Sequence, residues 1–520
     1  LYIALRPYQV QPDLSPLYQV SLNGQTVIAN GQAALIASAS PSHVVATIGE
    51  LGDLSVLSAS HASQQFQAAD DGSGLAELAL VYDLHLDTGA DKQLAFAAPV
   101  QPGSTPKPSG DPSGMATRWR DLLRPGSIQL PDTRVTDAYD ASLAYILMSN
   151  DSGALHPGPL LHDAFWYRDS SYMLAALERA GDLPEVRELL PALTRFQLAD
   201  GEFRANASTH RQAGHPRGSP EWDSQGQGIY SLVEYYRFSH DKAWLGSQWP
   251  AINAATSWLA QLIGGDGILP PGASAEDLGP ADQQHFWDDF WGVIGLREAA
   301  LAADALDDHS RAGELSSQAD TLLKATLSAG QPGLAREGIF PNGPDSSETP
   351  ADARGTSPAV WPGQLLPQDF ARTQFEQYFQ RFVAPYGGAF RHEGNNFWPF
   401  GGLEIAHASL FGGLPDQTRA ILAWQLDHQT AKGVWAWGDQ VNQDGSELTV
   451  GDMPHGWVAA EYVSLVRDML LYERGDTLQL AAGVGQDWLP DGKAVAIDKL
   501  PTYFGTMSYQ LRRAGSTVTL

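Results

Sequence analysis

Four stretches of this chain place tryptophan or tyrosine directly beside carboxylates: Phe165-Trp166-Tyr167-Arg168-Asp169, Glu221-Trp222-Asp223, Phe286-Trp287-Asp288-Asp289-Phe290-Trp291 and Val434-Trp435-Ala436-Trp437-Gly438-Asp439. An aromatic ring is a flat apolar platform, and a charged group at its edge can grip hydroxyls. A sugar ring presents that combination of surfaces. A single such stretch reads equally well as core tryptophan beside an aspartate that caps a helix N-terminus. Four of them, each at the start or edge of an expected inner helix, weaken that reading. Cleaving a glycosidic bond needs two carboxyl groups, one protonated to release the leaving oxygen and one acting as base or nucleophile. Burial among tryptophans disfavours the charged form of a carboxyl and raises its pKa. Asp288 and Asp289, between Trp287 and Trp291, have that setting in sequence. Adjacent helical residues point about 100° apart, so one of the two faces the site and the other serves structure.

Other polar residues carry two readings. Glu221 and Asp223 either bind hydroxyls, with Glu221/Asp223 as an alternative catalytic pair, or cap the following helix. Asp452 and His455, just before the last inner helix, read as structural or supporting groups. His392 and Glu393 lie in the Gly-rich stretch 386–398, expected to be a long loop over the mouth of the site. The segment 442–447 resembles a calcium loop only faintly, lacks the full ligand pattern, and reads as a turn. No metal site and no cofactor is expected.

The elements that must position these residues follow from periodicity. Residues 1–100 alternate apolar and polar positions in short runs such as Tyr18-Gln19-Val20-Ser21-Leu22, the pattern of an antiparallel β-sandwich. Residues 101–129 break all periodicity and read as a linker. From 130 to 475 apolar residues recur at three and four. Twelve helices are expected, near 133–149, 163–180, 183–198, 223–240, 241–262, 283–304, 309–328, 352–365, 367–382, 401–413, 415–429 and 453–474. Twelve helices without a repeated sequence unit suit a closed double ring, an (α/α)6 barrel, better than a solenoid. Residues 476–520 return to strand patterning. The fold class is therefore mainly α, with a β-sandwich before the barrel and a small β segment after it.

Bulk composition narrows the partners. The chain has 60 acidic against 32 basic residues, a formal net charge of -28, and no basic run to hold a phosphate backbone. Nucleic acid and anionic membrane are poor partners. The absence of cysteine excludes disulfides, thiolate metal sites and thiol nucleophiles. No apolar run reaches the ~20 residues of a membrane helix. The first residues, Leu1-Tyr2-Ile3-Ala4, begin without methionine or signal-peptide order, which suggests a start inside a longer precursor and a secreted or periplasmic location.

With these elements in place, three motifs resemble those of glucoamylase-type six-hairpin glycoside hydrolases and their bacterial relatives. Trp166-Tyr167-Arg168-Asp169-Ser170 is similar to their Trp-x-Arg-Asp-Ser motif, Phe286-Trp287-Asp288-Asp289 to their Leu-Trp-Glu-Glu segment, and Trp437-Gly438-Asp439-Gln440 to their Glu-Gln segment before the last inner helix. The resemblance runs over residues 130–475, in the same order, and includes an N-terminal sandwich. It implies an inverting mechanism with Asp288 as general acid and Asp439 as general base. It further implies that Arg168 and Asp169 hold the terminal sugar, with Trp166, Trp287 and Trp437 as walls; Glu221, Asp223 and Asp289 complete the expected binding set. Both catalytic positions carry Asp where the family has Glu, so neither the sugar nor its linkage carries over. A silent saccharide-binding protein and a phosphorolytic enzyme of the same barrel class are the rival expectations; in each case the partner is an oligo- or polysaccharide.

Overall fold

The computed structural model describes residues 1–7, 16–49, 67–99, 103–108, 112–123, 126–207, 221–275, 280–344 and 353–520. The chain divides into two compact units, Leu1–Arg120 and Asp121–Leu520.

The first unit contains strands β1 (Tyr2–Leu5), β2 (Gln19–Asn23), β3 (Thr26–Ala29), β4 (Gln32–Ala37), β5 (His43–Thr47), β6 (Ala68–Asp70), β7 (Glu77–Val81) and β8 (Phe96–Ala97). They form two antiparallel sheets, ordered β1-β7-β5 and β6-β2-β3-β4-β8. Val20, Val27 and Ala37 of one sheet share a core with Val44, Ala46, Leu78 and Leu80 of the other. Two sheets on one core are the expected sandwich. The expected linker is not structureless: it contains helix α1 (Pro112–Leu122) and a strand, Ser127–Gln129, which moves the boundary from residue 100 to residue 120.

In the second unit helices dominate: α2 (Thr133–Met148), α3 (Tyr167–Ala180), α4 (Leu183–Leu189), α5 (Pro191–Arg195), α6 (Asp223–Ser239), α7 (Lys242–Leu262), α8 (Phe286–Ala305), α9 (His309–Glu337), α10 (Ser357–Val360), α11 (Gln368–Tyr378), α12 (Pro399–Phe411), α13 (Pro415–Asp427) and α14 (Gly456–Leu470). Six of them touch in a closed cycle: α3 on α6, α6 on α8, α8 on α10, α10 on α12, α12 on α14, and α14 back on α3. The others lie outside that ring, α7 against α6 and α8, α9 against α8, α13 against α12 and α2. Their sequences differ accordingly. Outer α2 buries one stripe, Val135, Ala138, Tyr139, Leu143 and Ile146, at helical spacing. Inner α3, α12 and α14 are buried along their whole length, so no polar face remains to mark them as amphipathic.

Their ends differ too. Asp132, Asp241 and Asp308 cap outer helices α2, α7 and α9 with side-chain hydrogen bonds, whereas the N-cap residues of α3, α6, α8, α12 and α14 make none. Five inner helices thus begin with backbone N–H groups not closed by their own cap, and with the positive ends of their dipoles.

Each of the twelve expected helices has a counterpart, with shifted ends. Pro191 divides the third into α4 and α5, and the eighth shrinks to a 3-10 turn at Ala353–Gly355 followed by α10. The last stops at Leu470, where Leu471–Arg474 pairs with Thr477–Leu480 as a hairpin. The stretch 386–398 is not simply a loop: Arg391–Glu393 and Asn396–Phe397 are strands in a four-stranded sheet with Gln440–Val441 and Leu448–Val450. The C-terminal sheet joins Thr517–Thr519, Gly505–Ala514 and Ala494–Thr502 to Ser127–Gln129, and its Val495, Ile497 and Leu500 enter the barrel core. No helix among the described residues is long and apolar enough to cross a membrane.

Candidate active site

The N-terminal ends of the inner helices carry the chemistry. Trp166 precedes α3 in extended conformation, which leads Arg168 and Asp169 into the first turn, both buried. Arg168 Nε donates to Asp223 Oδ2 at 2.8 Å, and its guanidinium also pairs with Glu221. Although burial opposes its charge, the Asp223 and Glu221 carboxylates hold Arg168 above its ordinary pKa, with Asp169 adding to the negative field. The same Asp223 oxygen accepts Trp287 Nε1 at 2.8 Å and Gln227 Nε2 at 2.9 Å. Neither Glu221 nor Asp223 is a helix cap: α6 starts after Trp222, and both carboxylates face Arg168.

Asp288 is 1% exposed. Its Oδ1 accepts Ser274 Oγ at 2.9 Å, and its Oδ2 has no hydrogen-bond partner among the described residues. Burial, and after it the negative charge of Asp223, raise its pKa well above the ordinary carboxyl value. The shift favours the protonated form that a proton donor needs. Asp289 turns the other way and accepts the Leu269 N–H at 2.8 Å, so it anchors the segment before α8 rather than binding substrate as expected.

Asp439 belongs to a second cluster, with Asp452, His162 and His455. Its N–H donates to the Asp452 carbonyl at 3.0 Å, and its Oδ2 is 3.9 Å from His455 Nε2. The Asp452 carboxylate accepts Leu161 N at 3.0 Å, His162 N at 2.7 Å and His162 Nδ1 at 3.1 Å, which binds the loop before α3 to the loop before α14. Burial pushes the His455 imidazole down to about 3, so it is neutral. One donor atom each from His162, Asp439 and His455 lie within 4.8 Å of one another, a spacing that a metal ion could bridge. Trp437 does not form a wall: its indole donates to the Gln425 carbonyl at 2.8 Å and its ring stacks on Tyr462 at 4.8 Å, inside the core.

These parts meet in a circuit. The Arg168 guanidinium lies 5.9 Å from the Trp457 ring, Trp457 packs on Trp398 at 5.7 Å, and Arg354 lies 5.3 Å over Trp398. Arg354 Nη1 in turn donates to Ala275 O at 3.4 Å, next to the serine that holds Asp288. Toward the barrel centre Tyr172 touches Trp291, Trp361, Phe400 and Trp457, each from a different part of the ring. The indole N–H groups of Trp166, Trp291, Trp398 and Trp457 and the Tyr172 hydroxyl are buried without hydrogen-bond partners among the described residues. Each such group costs about 1–3 kcal/mol if it stays unpaired, so each is a donor available to a polar ligand.

The candidate site therefore unites Trp166, Arg168, Asp169, Glu221, Asp223, Trp287 and Asp288, and reaches Asp439 from Trp166 through the rings of His162 and His455, with successive ring centroids 6.0 and 5.1 Å apart; Asp289 and Trp437 face elsewhere. Sequence reasoning missed Arg354, Trp398, Ser274, Gln227, Tyr172 and His162. One signal was available: a tryptophan stands at or next to the start of five inner helices, Trp166, Trp222, Trp287, Trp398 and Trp457.

Neither a protein-family model nor a curated relative matches the chain. Solved structures do. A bacterial glucoamylase complexed with acarbose superposes with a TM-score of 0.57 at 14% identity, covering 90% of this chain and 76% of that one. A GH78 family rhamnosidase of Bacillus sp. GL1 gives 0.57 at 16% identity, covering 76% of this chain and 41% of that one. Glucoamylase from Saccharomycopsis fibuligera gives 0.51 at 13% identity, with 65% and 96% covered. The chain has the fold of the glucoamylase-type six-hairpin glycosidases, as its motifs led us to expect.

Proposed function

We propose that this protein is a glycoside hydrolase that cleaves an oligo- or polysaccharide with inversion, Asp288 acting as general acid and Asp439 as general base. The observation that carries this reading is the setting of Asp288: buried, with burial and the Asp223 carboxylate both raising its pKa, and with Oδ2 unengaged among the described residues. Asp288 gives its proton to the glycosidic oxygen as the bond from that oxygen to the anomeric carbon breaks. Asp439 takes a proton from the water whose oxygen attacks the opposite face of that carbon. Once deprotonated, Asp288 is an anion beside another anion, so repulsion from Asp223 drives it to recover a proton for the next turnover. Arg168, charged through its two carboxylate partners, and the unpartnered indole N–H groups supply donors for hydroxyls.

The test is a screen of oligosaccharides, followed by Asp288→Asn and Asp439→Asn on the substrate found. Each variant should lose about 10²–10⁴-fold in kcat, the range of general acid–base catalysis, and still bind the sugar by calorimetry. Near-normal turnover in either variant rejects that residue's role. NMR of the first product reads its anomeric configuration, and retention would reject inversion. Binding without cleavage across the screen would favour the silent saccharide-binding protein. Dependence of turnover on phosphate would favour phosphorolysis, although an anionic Asp439 in the position of the base would repel phosphate.

A further inference from the structure

We infer that His162, Asp439 and His455 form a binding site for one divalent transition-metal ion, best matched by zinc. Their three donor atoms come from separate loops yet lie within 4.8 Å of one another, with His455 and Asp439 buried and His162 half-buried. His455 Nε2 and Asp439 Oδ2 are 3.9 Å apart, and tetrahedral zinc with bonds of about 2.0–2.2 Å holds two ligand atoms about 3.4 Å apart, so the pair would close by about half an ångström on binding. A small rotation of either side chain supplies that movement.

A second observation comes from the groups behind the ligands. Asp452, with no exposed surface, takes His162 Nδ1 at 3.1 Å while two backbone N–H groups, of Leu161 and His162, hold its carboxylate in place. A carboxylate on one ring nitrogen fixes the tautomer and presents the other nitrogen for coordination, so the coordinating atom of His162 would be Nε2. On the opposite side, the His455 backbone N–H donates to the Trp437 carbonyl at 3.2 Å, which sets the start of α14, and the ring Nδ1 of His455 is buried without a hydrogen-bond partner among the described residues. Two imidazoles and one carboxylate suit zinc rather than magnesium or calcium, which prefer oxygen ligands throughout. Three protein ligands leave a fourth position for water or substrate.

The consequence for activity rests on the proposed function, whereas the binding does not. An ion on Asp439 occupies the lone pair that a general base needs, so zinc should inhibit turnover and a chelator should restore it. The full chain, dialysed against chelator and then freed of it, is titrated with zinc chloride by calorimetry and with cobalt(II) by visible absorption. One ion per chain at micromolar or tighter affinity is expected. His162→Ala and His455→Ala should each weaken binding at least tenfold, and Asp452→Asn about 10–100-fold, with melting temperatures confirming that the variants are folded. If His455→Ala fails to fold, His162→Ala alone decides, since that ring is half-buried. No binding at submillimolar zinc, or equal affinity in wild type and His162→Ala, overturns the site. If zinc binds wild type and not His162→Ala, yet leaves turnover unchanged, the site stands and the role of Asp439 as base falls.

Discussion

At the scale of residues, the site works through pairs whose members have different tasks. Asp223 and Asp288 are close enough for the charge of one to raise the pKa of the other, yet only Asp223 is tied to Arg168, Trp287 and Gln227. In the proposed reaction Asp288 acts in its protonated form, so activity should fall as pH rises through its raised pKa, giving the basic limb of kcat/KM. Asp223→Asn removes the negative charge that keeps the proton on Asp288. The basic limb should therefore move to lower pH, and the pH–rate profile of the variant on the identified substrate measures the shift; an unmoved limb would separate Asp288 from that ionisation. Asp288 and Asp289 show how far one position along a helix matters: the first accepts from Ser274 and the second from the Leu269 backbone, as residues about 100° apart on a helix must part.

At the scale of elements, the inner helices pack so tightly that glycine is required where they cross. A Cβ at Gly226 of α6 would collide with the Trp291 carbonyl of α8, and one at Gly295 of α8 would sit 2.7 Å from the Gly226 Cα. Gly226→Ala should cost about 1–3 kcal/mol by overpacking, read as a lower melting temperature, and because α8 carries Asp288 it should lower turnover as well. The helices themselves were legible because each outer one keeps an apolar stripe and several open on a capping aspartate. Aspartates at inner helix starts could not be told from such caps by residue type alone; the difference lies in what the side chain faces, Arg168 for Asp223 and its own backbone for Asp241. Trp437 misled for a related reason. It sits in a loop two residues after Trp435, which has φ 55°, and loop backbone of that kind follows no period that would reveal the direction of a side chain. The stretch 386–398 was taken for a loop because its strands are two and three residues long, too short for alternation to register. Arg354 and Trp398 went unnoticed because neither has a carboxylate beside it in sequence, and only the closure of the ring brings them to the site.

At the scale of the whole molecule, the two units keep separate cores, one centred on Val20, Val27, Leu78 and Leu80 and the other running through the barrel. Units with separate cores fold separately as a rule, so a chain lacking residues 1–111 should retain the cooperative melting of the second unit, and calorimetry of the full chain should resolve two transitions. Loss of the barrel transition on that truncation would show that the sandwich is needed for the barrel to fold. Removing the C-terminal sheet is another matter, since Val495, Ile497 and Leu500 belong to the barrel core and the Tyr503 hydroxyl donates to Glu234 of α6 at 2.7 Å. Tyr172, wedged among Trp291, Trp361, Phe400 and Trp457, bars the middle of the ring. For the proposed glycosidase, a bar at this point would act as a floor: it would limit how far a saccharide reaches into the ring, and trimming Tyr172 would deepen the space below it.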